Sequence, residues 1–321
     1  MSFVVGVDAG GTSTRALAVA PDGAVLGRGR AGGANPNSNP PETAAGNLEA
    51  AVAEALGDLD PSAANACVVG MAGTAKLTDP AFATLFSAVW ARLGLAHVVV
   101  LSDPEVAFAS ATDAPDGTVL VAGTGSIAGR IRERRMVATA GGYGWLLGDE
   151  GSAFWLGREA VRRALDELSA TGPLGDLTAA VLTEAGVPAE DRSYAWRRLI
   201  TVVNAEAPVR LARFAPLVGA AADGTPIVDR AADLLTRTAL AVREPGEDTP
   251  VVLVGSVLAG PVGTRVREQL AGLQVLASAD GVLGAVRLAA IEAFGEGATT
   301  KAWFRSGGAA YRGRSAGADA F

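Results

Sequence analysis

The sequence predicts an α/β protein that is built from two related halves. Its 321 residues are 49% hydrophobic and 19% charged, a balance typical of globular domains and too apolar for a disordered chain. One order of elements, a β-meander with a glycine-rich turn followed by alternating helices and strands, occurs twice along the chain. A chain of this length is expected to form about two domains. We therefore predict a first domain at residues 1–116 and a second at residues 117–294.

The first half opens with a β-meander. Apolar, β-branched runs at residues 3–8 and 15–20 flank the pair Gly10 and Gly11, and a third strand is expected near Val25. Glycine, asparagine and proline crowd residues 32–41 and predict an extended loop. Apolar periodicity then predicts a helix at 42–56, a strand at 66–71, a helix at 80–93, a strand at 98–101 and a helix at 104–112.

The second half repeats this opening and adds helices. Strands are predicted at 118–122, 127–131 and 136–140, with a glycine turn after the first of them. A chiefly helical pattern predicts a helical insertion at about 152–245. Further along, the pattern predicts a strand at 251–254, a helix at 261–270, a strand at 274–276 and a helix at 282–294. The tail at 295–321, rich in Gly, Ala, Arg and Ser, has no periodicity, and we expect it to be poorly ordered or loosely docked.

Charge and composition exclude several classes of protein. The 27 basic and 34 acidic residues give a net charge of −7, so we expect no cationic surface for nucleic acid or an anionic membrane. Lysine occurs only at Lys76 and Lys301, which excludes a P-loop ending in Gly-Lys. One histidine, His97, and one cysteine, Cys67, cannot form a zinc site of paired histidines or of four cysteines.

The single cysteine and the N-terminal sequence lead to a prediction about the compartment. Cys67 lies in an apolar run and predicts a reduced thiol in a core, without a disulfide partner. No signal sequence is recognisable after Met1, and no window reaches the ~20 apolar residues of a spanning helix. We therefore expect a cytoplasmic protein without a membrane partner.

Residues 8–15, DAGGTSTR, form the first candidate phosphate site. A hairpin turn with Gly10 and Gly11 leaves backbone amides free to approach a phosphate, and the hydroxyls of Thr12 and Ser13 add donors. Asp8 ends the strand beside this turn and could hold Mg²⁺ directly or through water. The alternative is a plain hairpin turn that uses glycine for its geometry.

The second half carries an equivalent turn, formed by Gly123, Thr124, Gly125 and Ser126. Two such turns at equivalent positions of a duplicated unit can hold one polyphosphate, and coincidence explains the pair poorly. With Ala128, the two glycines also fit a loose dinucleotide-binding fingerprint. That fingerprint requires a helix to begin at the turn, whereas the sequence after it predicts a strand. The paired turns therefore favour a polyphosphate site.

Asp103 is the candidate catalytic base. It follows a predicted strand and precedes Pro104, so its carboxylate is expected at a strand end, beside a helix N-terminus. In phosphoryl transfer, an aspartate in such a position accepts the proton of the attacking hydroxyl. A helix cap at Asp103 or Ser102 is compatible with this role.

Residues 141–157, GGYGWLLGDEGSAFWLG, form a candidate polyol site. Carboxylates such as those of Asp149 and Glu150 accept hydrogen bonds from vicinal hydroxyls and can neutralise an ammonium group. The alternative is that both acids complement a helix N-terminus and that Trp145 and Trp155 are core residues.

Together these segments resemble the BadF/BadG-type N-acetylglucosamine kinase family, in the sugar kinase branch of the actin, hexokinase and Hsp70 superfamily. DAGGTSTR and AGTGS match its two phosphate motifs, GWLLGDEGSAFWLG its sugar-site signature and VGSV its adenosine motif. The resemblance covers residues 3 to about 294. It implies a duplicated actin-like (ribonuclease H-like) α/β fold and an ATP- and Mg²⁺-dependent sugar kinase.

The resemblance also implies roles for individual residues. Within the family the chain looks most like actinobacterial glucosamine kinases, which implies transfer to the 6-hydroxyl of glucosamine, with N-acetylglucosamine as the alternative. We count Gly73 among the candidate sugar-binding residues, and we expect an amino sugar and ATP as partners and a homodimer. The roles implied are Asp8 for Mg²⁺, Asp103 as base, Asn35, Asp103 and Asp149 for the sugar, and Gly255 and Ser256 near the nucleotide.

Other members of the superfamily fit less well. ROK sugar kinases carry a cysteine-rich zinc motif that one cysteine cannot supply. Dehydratase activators need cysteines for an iron–sulfur cluster, which again argues against that role. A non-catalytic sugar or ATP sensor, or an ATPase activator of another enzyme, is the alternative of a different class.

Overall fold

The computed structural model describes residues 1–278 and 280–296, and the chain divides into two compact units. The first unit comprises Met1–Asp113 and the segment that begins at Ser278, and the second comprises Ala114–Ala277. The predicted domain limits, 1–116 and 117–294, differ from these units because the last helix groups with the first unit. The predicted tail lies outside the described residues from position 297 onward.

The described residues of the first unit form a five-stranded sheet with helices on both faces. The strand order is β3-β2-β1-β4-β5. The strands are β1 (Phe3–Ala9), β2 (Ser13–Val19), β3 (Val25–Gly32), β4 (Ala64–Met71) and β5 (Val98–Ser102). The helices are α1 (Pro41–Leu56), α2 (Pro80–Leu93), α3 (Asp103–Ala111) and the last helix of the chain, α12 (Gly281–Phe294), with short 3₁₀ turns at Pro61–Ala63 and Thr74–Thr78.

Alternate residues of β1 enter two different cores. Val5 and Val7 pack in a cluster with residues of α1, whereas Val4 packs with residues of α3 and α12, as the two-residue period of a strand requires. Gly6 lets α12 lie directly on the strand, since a Cβ there would be 2.4 Å from the backbone nitrogen of Val286. This close packing is the physical reason why α12 belongs to the first unit.

The described residues of the second unit repeat the same sheet. The order β8-β7-β6-β9-β10 corresponds strand by strand to that of the first unit. The strands are β6 (Gly117–Ala122), β7 (Ser126–Arg132), β8 (Arg135–Gly141), β9 (Val251–Val254) and β10 (Val275–Ala277). The prediction of a duplicated actin-like α/β fold is confirmed.

The helical insertion of the second unit contains most of its helices. The insertion contains α5 (Ala153–Ser169), α6 (Asp176–Glu184), α7 (Arg192–Asn204), α8 (Ala215–Ala220) and α9 (Thr225–Leu240), with 3₁₀ segments at Pro208–Phe214 and Ala222–Gly224. Outside the insertion, the second unit has α4 (Gly144–Leu147), α10 (Ser256–Ala259) and α11 (Pro261–Gln269). Apolar residues of α5 to α9 and of β6 and β9 share one core. In the part of the chain that the structure describes, no helix has the length and apolar character needed to span a bilayer.

Candidate functional site

Asp8, near the end of β1, is held in a network of charges. Arg15 is its cross-strand partner in the β1–β2 register. The Arg15 guanidinium lies 2.5 Å from Oδ2 of Asp8 and 2.8 Å from Oδ2 of Asp280. Burial raises the pKa of Asp8, Arg15 opposes this increase, and the charge of Asp280 adds to it. The network fixes the Asp8 carboxylate, whose side chain is 19% exposed.

The N-terminus of α12 completes this network. Asp280 caps the helix by accepting a hydrogen bond from the amide of Val282 at 3.2 Å. At Gly281 an added Cβ would lie 3.0 Å from the carboxyl carbon of Asp8. Glycine therefore allows the helix to approach Asp8 this closely. The sequence analysis gave no role to Arg15 or Asp280, although Arg15 stands in the first glycine motif and Asp280 lies two residues before a predicted helix.

The donors around Asp8 fit Mg²⁺ that is bound together with a nucleotide. Asp8 and Asp280 offer carboxylate oxygens, which Mg²⁺ prefers. Among the described residues, no group of three or more Asp, Glu, His or Cys is arranged to hold a metal ion. In nucleotide sites, Mg²⁺ normally uses one or two carboxylates and completes its shell with water and phosphate oxygens. The residues present therefore fit a metal that arrives with phosphates.

The first glycine turn lies between β1 and β2. The amide of Gly10 donates to the carbonyl of Ser13 at 3.0 Å, and the Gly10 carbonyl accepts from Ala34 and Asn35 at 2.9 and 3.0 Å. Gly11 and Thr12, at its tip, are exposed. The turn thus has one side bonded to the loop after β3 and an exposed tip that an anion can approach.

Asn35 and Gly73, two of the predicted sugar-binding residues of the first unit, lie together. Gly73 has a φ of +80°, and a Cβ there would be 2.6 Å from Oδ1 of Asn35 and from Nδ2 of Asn37. The Asn35 side chain accepts a hydrogen bond from the Asn37 amide at 2.8 Å. Lys76 secures the same loop by donating to the carbonyl of Pro36 at 2.8 Å. The loop therefore presents several polar groups beside Gly73.

Asp103 is the first residue of α3, at the carboxyl end of β5. The strand registers place the ends of β1, β4 and β5 side by side, with Ala9 opposite Met71 and Met71 opposite Ser102. Ser102 is the cap of α3, and its amide donates to the carboxylate of Glu105 at 2.7 Å. Capping therefore does not depend on the Asp103 side chain.

The Asp103 carboxyl has a raised pKa. Burial raises its pKa to about 6, a hydrogen bond from its own backbone amide opposes the increase, and the charge of Asp8 adds to it. A carboxylate with a raised pKa is a stronger base than an ordinary aspartate and is still ionised at neutral pH. Asp103 has the position and the proton affinity that a general base needs.

The second glycine turn joins β6 to β7 and is bonded to the start of α5. The amide of Gly123 donates to the carbonyl of Gly125 at 3.0 Å. The carbonyls of Gly123 and Thr124 accept hydrogen bonds from Ala153 and Phe154, at 2.8 and 3.2 Å. Two unpaired amides of the helix N-terminus are satisfied in this way. The turn is therefore fixed relative to α5.

Asp149 lies against this second turn. Its Oδ1 accepts a hydrogen bond from the amide of Ser126 at 3.0 Å, and the Ser126 hydroxyl donates to the carbonyl of Glu150 at 2.9 Å. Trp155, in the helix that follows, is 2% exposed, whereas Trp145 is 41% exposed. The expectation that both tryptophans are core residues thus fits Trp155 alone.

Gly255 and Ser256 lie at the junction of β9 and α10. Gly255 has a φ of +104°, and a Cβ there would be 2.4 Å from the carbonyl oxygen of Ala122. Ser256 borders a cavity of about 430 Å³ within the second unit, which Leu156, Pro216 and Val262 also line. Ligand pockets are typically about 300–1,000 Å³ and mostly apolar. The cavity has the size and lining that suit a nucleoside.

Comparisons with known proteins show the family to which the chain belongs. The sequence profile of the BadF/BadG/BcrA/BcrD ATPase family matches residues 5–289. An N-acetylmuramic acid/N-acetylglucosamine kinase from Clostridium acetobutylicum is 32% identical over 176 residues, which are 54% of this chain and 56% of the relative. The match thus spans little more than half the length of that relative.

Solved structures extend the likeness to most of the chain. A proposed N-acetylglucosamine kinase from Chromobacterium violaceum has a TM-score of 0.69 and 26% identity, covering 90% of this chain and 99% of that one. A ROK family glucokinase from Streptomyces griseus has a TM-score of 0.53 and 22% identity, covering 90% of this chain and 98% of that one. The glucokinase is similar in fold.

Proposed function

Because this chain belongs to the BadF/BadG/BcrA/BcrD ATPase family, we propose that it is an ATP-dependent kinase of amino sugars. The proposed reaction transfers the γ-phosphoryl group of ATP to the 6-hydroxyl of glucosamine, giving glucosamine 6-phosphate and ADP. The observation that carries the proposal is Asp103, a carboxylate with a pKa of about 6 at the carboxyl end of β5. The names of the matched relatives add support for a sugar as the acceptor.

Asp103 and the Asp8 network take separate roles in this reaction. Asp103 accepts the proton of the attacking hydroxyl, so the oxygen becomes a better nucleophile as its bond to phosphorus forms. Asp8, oriented by Arg15, would hold Mg²⁺, with Asp280 nearby. The metal, when bound with ATP, neutralises charge on the transferring phosphoryl group.

The glycine turns and the cavity are assigned to ATP. The backbone at Gly10 to Ser13 and at Gly123 and Thr124 suits phosphate oxygens, because glycine lets them approach the amides closely. The apolar cavity beside Ser256 suits the adenosine. Asn35, Gly73 and Asp149 are assigned to the sugar.

N-acetylglucosamine is the second candidate acceptor. The names of two matched proteins favour it, since both refer to N-acetyl sugars. The two sugars differ at C2, where glucosamine carries an ammonium group and N-acetylglucosamine a neutral amide. An ammonium group taken out of water needs a carboxylate partner, and Asp149 with Glu150 could supply one. Asp149→Asn should therefore reduce turnover of glucosamine more than that of glucose if Asp149 pairs with the ammonium.

A role as an activator of another enzyme through an iron–sulfur cluster is less well supported. Cys67 is the single cysteine of the chain and is buried in β4. Burial raises the pKa of its thiol to about 12, and a cluster needs accessible thiolates. Cys67 therefore suits a core position.

One assay tests the proposed function. ADP release is measured with ATP and Mg²⁺ in the presence of glucosamine, N-acetylglucosamine, glucose or no sugar, and the phosphorylated carbon is identified by NMR. Asp103→Asn is the control for background ATP hydrolysis. Stimulation by glucosamine supports the first proposal, and stimulation by N-acetylglucosamine alone supports the second. ADP release that no sugar changes would overturn both.

A further inference from the structure

Ser126 makes two hydrogen bonds to the acidic segment that follows β8. Its amide donates to Oδ1 of Asp149 at 3.0 Å, and its hydroxyl donates to the carbonyl of Glu150 at 2.9 Å. The residue is 6% exposed, so water does not readily replace these bonds. Both polar groups of Ser126 that can donate are thus directed at the segment with Asp149, although the residue stands in a phosphate motif.

The backbone around Asp149 needs such support. Asp149 has a φ of +55°, in the left-handed region that residues other than glycine rarely adopt. Gly151, two residues later, has a φ of +77°. A segment with this backbone keeps one conformation only when its surroundings hold it. The two bonds from Ser126 hold it on one side.

Gly125 shapes the same contact. A Cβ on Gly125 would lie 2.8 and 2.9 Å from the two carboxylate oxygens of Asp149. The missing side chain therefore makes the space that Asp149 occupies. Gly123, at the other end of the turn, has nothing within 4 Å of an added Cβ.

The first unit contains an equivalent arrangement. Thr14 is paired with Ala9 as Ser126 is paired with Ala122, so the two residues occupy matching register positions. The Thr14 hydroxyl donates to the carbonyl of Gly32 at 2.8 Å, three residues before Asn35. In each unit, the hydroxyl that follows the glycine turn thus holds a segment with a candidate sugar-binding residue.

We propose that Ser126 is a positioning residue for the sugar acceptor, because it holds Asp149 in place. Gly125 is a second positioning residue, because its missing side chain leaves room for the Asp149 carboxylate. The inference rests on the proposed function and divides the second turn into two parts. Gly123 and Thr124 serve the phosphates, whereas Gly125 and Ser126 fix the carboxylate that binds the sugar. The turn then links correct placement of the donor to that of the acceptor.

Ser126→Ala tests the proposal through separate measurements of the two substrates. Loss of one buried hydrogen bond should weaken sugar binding about tenfold, seen as a higher KM for the sugar and a higher Kd by calorimetry. The Kd of ATP should stay within about twofold. Ser126→Thr keeps the hydroxyl, has Thr14 as a precedent, and should restore sugar binding. A merely structural defect would not produce this split, and melting curves check that each variant folds.

The two glycines provide a matched pair. Gly125→Ala should weaken sugar binding because its methyl group displaces the Asp149 carboxylate. Gly123→Ala should weaken ATP binding instead, because its methyl group faces the open side that phosphates approach. If Ser126→Ala and Gly125→Ala raise the Kd of ATP and leave that of the sugar unchanged, the inference is wrong while the kinase function stands. If wild-type protein neither binds nor phosphorylates any sugar, the proposed function fails and the inference fails with it.

Discussion

The two glycine turns share a backbone frame but take their carboxylates from different places. In both units, the first amide of the turn bonds to its last carbonyl at 3.0 Å, and a buried hydroxyl follows. In the first unit the carboxylate, Asp8, lies on the strand itself, where Arg15 faces it. In the second unit the matching cross-strand residues are Val121 and Ile127. The carboxylate beside the second turn is that of Asp149, from the segment after β8.

Under the proposed function, this difference divides the tasks between the two units. Both turns close with a backbone hydrogen bond from the first amide to the last carbonyl. The carboxylates beside them differ in position along the chain. In the first unit, Asp8 suits a metal ion and Asp103 suits a general base. In the second unit, Asp149 beside the glycine turn suits the sugar acceptor.

The largest predicted effect concerns Asp103, in the first unit. Asp103→Asn should lower kcat about 10²–10⁴-fold, because an amide cannot accept the proton, and should leave the Kd of ATP unchanged. In the wild-type protein, kcat should fall as the pH drops below about 6, where the base becomes protonated. Steady-state assays between pH 5 and 8 measure both effects. Near-normal turnover of the variant would place the base elsewhere.

The same substitution should stabilise the fold. The pKa of Asp103 is raised in the folded state, so ionisation above pH 6 costs stability that a neutral side chain recovers. Asp103→Asn should therefore melt above wild type at pH 7–8, and this advantage should shrink as the pH falls from about 6 towards 4. Thermal melts across this range measure the difference. A lower melting temperature at pH 8 would contradict the burial of a charge at this position.

The second prediction concerns the contact between α12 and the first sheet. Gly6→Ala should destabilise the protein by about 1–3 kcal/mol, because its methyl group meets the Val286 backbone. The matching position of β6 is Val119, paired with Gly129 as Gly6 is paired with Leu17, so the second unit tolerates a side chain there. Urea unfolding measures the change.

A control for Gly6→Ala is available in the same unit. Gly46 lies exposed in α1, and nothing is within 4 Å of an added Cβ. Gly46→Ala should therefore stabilise by about 0.5–1 kcal/mol through helix propensity. Equal effects of the two substitutions would contradict close packing at Gly6.

The third prediction concerns a carboxylate of the second unit whose pKa is shifted the opposite way from that of Asp103. Burial acts to raise the pKa of Glu247, but hydrogen bonds from Arg132, Thr249 and the Glu244 amide outweigh it and lower the pKa to about 2. Ionised Glu247 thus stabilises the folded state above its ordinary pKa near 4.5, and this stabilisation is lost as the pH falls towards 2. Glu247→Gln should cost about 2 kcal/mol at pH 7 and progressively less below pH 4.5. Urea unfolding at pH 7 and pH 4 measures both values, and a cost that does not vary with pH would argue against the charge.

The smallest predicted effect is at Thr14, the counterpart of Ser126. Thr14→Val removes the hydrogen bond to Gly32 and should cost about 1 kcal/mol of stability. Its effect on sugar affinity should be smaller than that of Ser126→Ala, because the Gly10 carbonyl also holds Asn35. Calorimetric titration of both variants with the same sugar compares them. A larger loss at Thr14 would reverse the proposed division between the units.

Much of the fold follows from local patterns. The glycine turns, the meander strands and the helix after residue 40 could be predicted because turn chemistry and apolar period depend on neighbouring residues. The predicted helix at 104–112 corresponds to α3, which begins one residue earlier at Asp103. The predicted strand at 251–254 matches β9.

The candidate site likewise contains residues that local motifs predict and contacts that only the folded chain reveals. Asp8, Asp103 and Asp149 could be named from motifs and from their position at predicted strand ends or before a helix. The pairing of Arg15 with Asp280 could not be predicted, because 265 positions separate the two residues. The double contact of Ser126 with Asp149 and Glu150 was likewise hidden, since the motif suggested phosphate binding.

Local sequence patterns alone thus predict the duplicated order of elements, the two glycine turns and the acids near them, because each depends on residues close in the chain. That α12 joins the first unit depends on long-range packing, since Gly6 and Gly284 permit contact with Val286 and Val106. The raised pKa of Asp103 likewise arises chiefly from burial in the folded protein. Packing and desolvation are properties of the assembled chain, so no local pattern could reveal them.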